Sequence, residues 1–310
     1  MAVTLSDQAT AALSEAGLDL DDVRRVVRTA LDEDLRYGAD ATTAATVPAS
    51  ARQVAELTPR APGVLAGLPV ALAVFDAVLG ADYELLSCAP EGSRAGVGEP
   101  ALVLRGPVRG LLTAERTALN LLCHLSGVAT ATAAWVAEVD GTGCAIRDSR
   151  KTLPGLRLLQ KYAVRAGGGV NHRMGLGDAV LIKDNHVVAA GSVTAALRAV
   201  RDAAPELACE VEVDTVAQVD EALAAGADLG GGPLGEGGGN VTVLLDNFTP
   251  AQCVEAVRRR DAVAPKTRLE SSGGLRLDVA RAYAETGVDF LAVGALTHSS
   301  PALDVGLDLR

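Results

Sequence analysis

Apolar residues recur along this chain with two different periods, and the period changes about two-fifths of the way through. Near the start, Val23, Val26, Val27, Ala30 and Leu31 form one stripe, which predicts a helix over Asp21 to Leu35 with Asp19 or Asp21 as its cap. The polar stretch Glu33 to Asp40 breaks it into a loop. From Arg52 to Leu104 the pattern shortens. Val54 to Leu57, Val64 to Gly67, Tyr83 to Leu86 and Ala101 to Arg105 alternate with Pro and Gly turns, and one helix fits between them, Pro69 to Leu79. This predicts an antiparallel sheet with helices on one face. Leu111, Leu112, Leu119, Leu122 and Leu125 then make a second helical stripe, which carries Glu115, Arg116 and Asn120. Gly127 reads as its stop and as the place of a domain boundary.

Beyond that point short apolar runs alternate with helical patterns. The runs are Cys144 to Ile146, Ala179 to Ile182, Ala208 to Val213, Val241 to Leu245, Arg268 to Ser271 and Val288 to Val293. Between them Ser192, Thr215 and Thr249 stand where helix caps belong, Pro250 takes a first helical position, and Gly226 and Gly287 follow helix ends. Strands separated by helices at this spacing mean parallel β-α-β units. The expected architecture is α/β, a (β/α) barrel short of eight strands, with a doubly wound open sheet as the alternative. No strand is followed by G-x-G-x-x-G, which weakens the alternative as a nucleotide-binding sheet. The glycine-dense stretch Asp228 to Asn240 reads as a flexible surface loop: it has no helix start or cation to make it a phosphate cradle.

Composition narrows the setting. A chain of 310 residues, 49% hydrophobic but only 3% aromatic, can bury a large core built of Ala, Val and Leu. No uninterrupted apolar run reaches the roughly 18 residues that span a bilayer. The N-terminus lacks a basic start followed by an apolar run, and the five cysteines are scattered without metal-ligand spacing. A cytoplasmic protein with no membrane partner is expected. The net charge of -11 argues against nucleic-acid binding.

Against that acidic background the stretch Arg147 to His186 is rich in cations. Arg157, Lys161 and Arg165 lie four apart and read as the solvated face of a short helix. Arg150, Lys151, His172, Arg173 and Lys183 instead lie at turns and strand ends. In a barrel those ends form the active face, and here nearly all of them are polar: Asp148 to Lys151, Lys183 to Asn185, Glu212 and Asp214, Asp246 and Asn247, Ser271 to Gly274, and Gly294. In Glu210-Val211-Glu212-Val213-Asp214 the alternation of side chains turns all three acids inward if the valines face the helices. An edge strand with a solvated acidic face is the other reading. Buried carboxylates this close need a cation, from Lys151, Lys183, Arg150 or bound Mg²⁺. Ser272, Gly273, Gly274 and Gly294 offer backbone N–H groups for a phosphate. Together these predict a site for a ligand carrying several negative charges, with a metal ion.

These residues resemble the quinolinate phosphoribosyltransferase family. The family pattern D-T-R-K-T-x-P-G-x-R stands here as Asp148 to Arg157, G-G-G-x-N-H-R as Gly167 to Arg173, L-I-K-D-N-H as Leu181 to His186 and E-V-E-V-D as Glu210 to Asp214. L-D-N-F is Leu245 to Phe248, and V-G-A-L-T-H-S is Val293 to Ser299. In the first part, E-D-L-x-x-G-x-D-x-T-T matches Glu33 to Thr43 and E-R-T-A-L-N matches Glu115 to Asn120. The resemblance implies an open-faced α/β sandwich over 1–126, an incomplete (β/α) barrel over 127–296 and a tail, 297–310, that packs back on the first domain. It implies a homodimer in which Arg116 reaches the partner's site. Arg150, His172, Arg173 and Lys183 would hold quinolinate with Lys151 beside them. Glu212 and Asp246 would face the ribose and Mg²⁺ of phosphoribosyl pyrophosphate, and Ser272 to Gly274 with Gly294 its 5′-phosphate. The implied reaction is phosphoribosyl transfer to quinolinate with decarboxylation. A related phosphoribosyltransferase with another acceptor, a non-catalytic sugar-phosphate binder and a barrel decarboxylase are the competing functions. Ser149 replaces the usual Thr, the connection at Asp228 to Asn240 is long, and Arg147, where an apolar residue is common, has no role in the pattern.

Overall fold

The computed structural model describes residues 3–228 and 241–310; the glycine-rich stretch read as a surface loop lies, from Leu229 on, outside them. The chain divides into two compact units. One takes in the residues up to Ala133, Lys151–Gly168 and Ala295–Arg310; the other takes in Ala134–Arg150 and the described part of Gly169–Gly294.

The first unit begins with α1 (Asp7–Glu15), α2 (Leu20–Asp34) and α3 (Ala41–Thr46), each started by a side-chain cap, from Ser6, Asp19 and Asp40. On α2 the residues Val23, Val26, Val27 and Leu31 are buried, the stripe that the spacing predicts. Then come β1 (Arg52–Pro59), β2 (Gly63–Val64), α4 (Leu68–Leu79), β3 (Glu84–Cys88), β4 (Arg94–Ala95) and β5 (Leu102–Pro107). α4 is preceded by Gly67, which has no side chain to cap it; Glu91 serves instead, accepting the backbone N–H of Gly67 and of Leu68 at 2.8 Å each.

α5 (Val108–Glu138) runs far past the expected stop. Gly127 sits inside it, and a Cβ there would lie 2.2 Å from the Pro301 carbonyl oxygen. The glycine therefore admits another segment against the helix rather than ending it. By length and composition alone α5 is able to cross a membrane. Its Leu111, Ala114, Ala118, Leu119, Leu122, Leu125, Val128 and Ala129 are buried in the first unit, as a core helix requires.

The chain continues through β6 (Ala145–Arg147), α6 (Arg157–Ala166), β7 (Ala179–Ile182), α7 (Asp184–Ala190), α8 (Val193–Ala203), β8 (Ala208–Val213), α9 (Val216–Asp228), β9 (Thr242–Asp246), α10 (Pro250–Val263), β10 (Leu269–Ser272), α11 (Ala280–Ala284), β11 (Phe290–Ala292), α12 (Ala295–His298) and β12 (Val305–Leu309). β12 returns to the first unit and pairs antiparallel with β1, giving a four-stranded sheet in the order β12-β1-β5-β3. α6 also belongs to the first unit, and it departs from the expected solvated face: Lys161 is fully buried, Arg157 is half-buried with its Nε donating to Thr152 Oγ1 at 3.1 Å, and Arg165 alone of the three is exposed.

The second unit holds a parallel sheet in the order β6-β11-β10-β9-β8-β7. Each strand from β7 to β11 lies beside the next in the chain, and β6 follows β11 around. A doubly wound sheet reverses its order at a switch point; this one never does. The sheet is also curled. Four strand spacings separate β6 from β8, about 19 Å if the sheet were flat, yet Arg147 Nη1 on β6 lies 4.0 Å from Glu210 Oε1 on β8. Among the described residues no ladder joins β6 to β7, so the ring is incomplete; Val170 lies along β6 instead, exchanging backbone hydrogen bonds with Ile146 and Asp148.

Candidate active site

Alternation along the strands of the second unit decides which side chains point into the curled sheet. On β8, Val211 and Val213 are fully buried on the helix side, so Glu210 and Glu212 point inward. Asp214 lies just past the strand and is exposed. On β10, Ser271 faces out to the Cys253 thiol of α10, which leaves Glu270 and Ser272 inside. Arg147, the last residue of β6, points the same way.

These groups neutralise one another. Arg147 Nη1 donates to Glu270 Oε2 at 2.5 Å, and its guanidinium lies 4.7 Å from the centre of the Phe290 ring. His172 Nε2 bonds Glu210 Oε2 at 2.5 Å. Lys183 Nζ, at the end of β7, donates to Glu212 Oε2 at 2.6 Å. Burial pushes the Glu210 and Glu270 carboxyls above the usual range, and the Glu210 charge raises Glu270 further, while Arg147 pulls both back down. The cation set expected for the inward acids was Lys151, Lys183, Arg150 or a metal. Lys183 takes that part for Glu212, and for the two deepest acids the partner is Arg147, which the motif reading left without a role.

Two cations remain, Arg150 and Arg173, close enough for the charge of one to act on the other. Arg150 follows β6, and Arg173 follows His172, whose backbone N–H donates to Asp148 Oδ1 at 2.8 Å. Asn171 Nδ2 donates to Asp148 Oδ2 at 2.6 Å, so the fully buried Asp148 anchors the whole Asn171–His172–Arg173 turn. Arg173 Nη1 donates to the Ala179 carbonyl at 3.1 Å, but the Nε atoms of both Arg150 and Arg173 are buried with no protein partner. Burial, and after it the like charge of Arg150, hold Arg173 below the usual arginine range. Two guanidiniums held close with unused donors make a site for an anion.

Across the sheet, Asp246 ends β9 level with Ser272 on β10. Asn247 donates its backbone N–H to the Ser272 carbonyl at 2.9 Å and adopts a left-handed φ of 56°. Asn247 Nδ2 donates to Asp246 Oδ2 at 2.6 Å. Gly273 has φ 98°, and a Cβ on it would lie 2.2 Å from Asn247 Oδ1, so only glycine fits. Gly294 follows β11 one residue after Val293, whose N–H donates to the Arg147 carbonyl at 2.9 Å. The second unit thus brings together Arg150, His172, Arg173, Lys183, Glu212, Asp246, Ser272, Gly273, Gly274 and Gly294. Lys151 and Arg116 fall in the first unit. There the Lys151 carbonyl accepts from Thr297 Oγ1 at 2.8 Å, and Gln160 Oε1 accepts the Leu153 N–H at 2.9 Å, which fixes the loop that carries Lys151. Arg116 is exposed, with Glu115 Oε1 3.9 Å from its Nη2.

Sequence reasoning missed Glu270. The signal was present: in Leu269-Glu270-Ser271-Ser272 the glutamate shares the parity of Ser272, so it shares the serine's inward face.

A parallel barrel whose strand ends hold an anion pocket beside inward carboxylates and a glycine cradle defines an enzyme of the pentosyltransferase class. Residues 40–126 match the N-terminal domain, and residues 128–308 the C-terminal domain, of quinolinate phosphoribosyl transferase; the chain belongs to that family. It is 59% identical, over 94% of its length and 98% of the relative's, to the nicotinate-nucleotide pyrophosphorylase [carboxylating] of Mycobacterium leprae. With the human enzyme of that name it shares 39% identity over 86% of this chain and 85% of the other. The solved nicotinate-nucleotide pyrophosphorylase from Francisella tularensis superimposes with a TM-score of 0.85 at 35% identity, covering 94% of this chain and 98% of that one.

Proposed function

We propose that this protein transfers the phosphoribosyl group of phosphoribosyl pyrophosphate to the ring nitrogen of quinolinate and removes the C2 carboxylate, giving nicotinate mononucleotide, pyrophosphate and CO₂. The observation that carries this reading is the Arg150–Arg173 pair, two adjacent guanidiniums whose buried Nε donors have no partner in the protein. With His172 and Lys183 alongside, the pocket suits the two carboxylates of quinolinate. A neutral base would leave those charges uncompensated.

The donors at Ser272 to Gly274 and Gly294 suit the 5′-phosphate of the second substrate. Glu212 and Asp246, half-buried oxygen donors at the ends of adjacent strands, fit Mg²⁺, which takes one or two carboxylates together with water and substrate phosphates. Mg²⁺ bound there would offset charge on the departing pyrophosphate. The chain's own part is electrostatic and positional. As the pyridine nitrogen bonds to C1 and the C1–oxygen bond to pyrophosphate breaks, positive charge grows on the ribose. Glu212, paired with Lys183 Nζ at 2.6 Å, and Asp246 stabilise it. The product nitrogen is cationic and draws electrons, so the bond from C2 to its carboxylate breaks. CO₂ leaves, the electron pair stays at C2, and a proton takes its place; the Lys151 ammonium is the donor in this reading, reloaded from water. A second copy of the chain would supply Arg116 to the pocket.

The test is an assay with quinolinate, phosphoribosyl pyrophosphate and Mg²⁺, following CO₂ and nicotinate mononucleotide, with nicotinate as the control acceptor and a chelator to withdraw the metal. Turnover of quinolinate alone, abolished by the chelator and restored by Mg²⁺, is expected. Equal turnover of nicotinate, or no CO₂, would overturn the reading. In the same assay Lys151→Ala with normal kcat removes Lys151 from the proton step.

A further inference from the structure

Arg147 is half-buried beside the deepest acids of the curled sheet, and its partners form a chain that ends at His172. Arg147 Nη1 lies 2.5 Å from Glu270 Oε2 and 4.0 Å from Glu210 Oε1. Glu210 Oε2 in turn bonds His172 Nε2 at 2.5 Å. The two acids are interior, Glu210 5% exposed and Glu270 1%, with Arg147 and His172 half-buried at either end. The Glu210 Oε1 atom has no hydrogen-bond partner, and the Arg147 guanidinium is the nearest cation to it, ahead of Arg173. Among the described residues, the three-donor set close enough to hold a metal is this one, His172, Glu210 and Glu270, with ligand atoms within 4.8 Å of one another. A guanidinium that cannot lose its proton already offsets part of its charge from within.

We propose that Arg147 is a positioning residue for His172: as a permanent internal cation it holds the Glu210–Glu270 pair, and Glu210 so held fixes the imidazole with Nε2–H turned inward and Nδ1 toward the anion pocket. The His172 backbone is already pinned by Asp148 at 2.8 Å. The ring itself is held at 2.5 Å by the Glu210 carboxylate. Without Arg147 two buried acids lie side by side. With no guanidinium between them they move apart, and the acceptor for Nε2–H is displaced. The cost falls on whatever Nδ1 binds. The inference rests on quinolinate being held by His172, as proposed above, and it predicts an effect on that substrate rather than on the phosphoribosyl donor.

The experiment compares Arg147→Met, Arg147→Lys, Glu270→Gln and the double variant Arg147→Met/Glu270→Gln with the wild type. Arg147→Met should raise the KM for quinolinate about tenfold or more while the KM for phosphoribosyl pyrophosphate changes less than about threefold, and Arg147→Lys should recover most of the loss. The double variant separates positioning from charge balance. It removes one buried cation and one buried anion together, so its melting temperature should return toward wild type while the quinolinate KM stays high. A double variant with normal quinolinate KM overturns the proposal, because charge balance alone then explains Arg147. So does an Arg147→Met enzyme in which both KM values move together. If Arg147→Met does not fold, the double variant and Arg147→Lys carry the test. The chain has four histidines, so long-range ¹⁵N–¹H spectra report the ring directly. The wild-type His172 should show a protonated Nε2, and Arg147→Met should lose that signature even without substrate. A wild type that turns over no quinolinate would count against the function itself. A wild type that turns it over, with an unchanged His172 spectrum in Arg147→Met, would count against this inference alone.

Discussion

A Cβ at Gly273 has nowhere to go: the backbone angle is 98° and Asn247 Oδ1 would be 2.2 Å away. Gly273→Ala therefore strains the turn by about 1–3 kcal/mol or pushes Asn247, and with it Asp246, out of place. The damage should fall on the phosphoribosyl end. Steady-state kinetics of Gly273→Ala should show the KM for phosphoribosyl pyrophosphate raised about tenfold, toward the lower end of that energy range, with the quinolinate KM nearly unchanged; the reverse pattern would remove Gly273 from that end of the site. This turn was legible in the sequence because a glycine pair after a strand end has a physical reason to be there. The buried ion pair was not. Arg147 and Glu270 are 123 residues apart, and nothing in either strand's text names the other as its partner. Lys161 fails for a related reason. The spacing of Arg157, Lys161 and Arg165 puts them on one helical face, but spacing does not say what that face meets, and Lys161 is wholly buried.

Elements with a repeating apolar pattern were readable, and those without one were not. All six parallel strands were found to within two or three residues, because each is an apolar run closed by a polar or glycine turn. α7 was missed: no residue on it is buried, so it has no stripe to read. β12 was also hidden, since Val305–Leu309 stands by itself at the end of the chain and its partner lies in the first fifth of the sequence. That pairing has consequences for stability. β1 sits between β5 and β12, with Arg60 N–H to the Asp304 carbonyl at 2.8 Å and Val54 and Arg310 exchanging both backbone bonds at 2.8 and 3.2 Å. A chain ending at Leu303 loses all of this and turns β1 into an open edge. Exposed edges pair with other chains. The truncated protein should melt lower and elute as concentration-dependent aggregates on size-exclusion chromatography. An unchanged melting temperature with an unchanged elution volume would mean that β12 adds nothing to the sheet.

At the scale of the molecule, reading the chain in order suggests contiguous domains, whereas the compact units exchange segments: Lys151–Gly168 and Ala295–Arg310 belong with the residues up to Ala133. Linear order carries no signal for this, because α6 looks like any other barrel helix until its buried face has a neighbour. The crossing falls between Arg150 and Lys151, two adjacent residues of one motif, which places candidate site residues on both units. Arg116 is the other candidate on the first unit. It lines a groove of about 380 Å³ with Asp34, Leu35, Tyr37 and Leu112, and Tyr37 beside it is 95% exposed. A bare aromatic next to an exposed guanidinium is a surface that gains by being covered. If the cover is a second copy, and Arg116 serves its partner's pocket, complementation follows from two-fold symmetry. Arg116→Ala and Lys183→Ala dimers should each be nearly inactive. After subunit exchange half of the dimers are hybrids, and each hybrid has one site with both mutations and one with neither. The mixture should then recover activity at up to about a quarter of its sites. Were Arg116 to act within its own chain, every site in every dimer would carry one mutation, and exchange, verified by mass tags, would restore nothing.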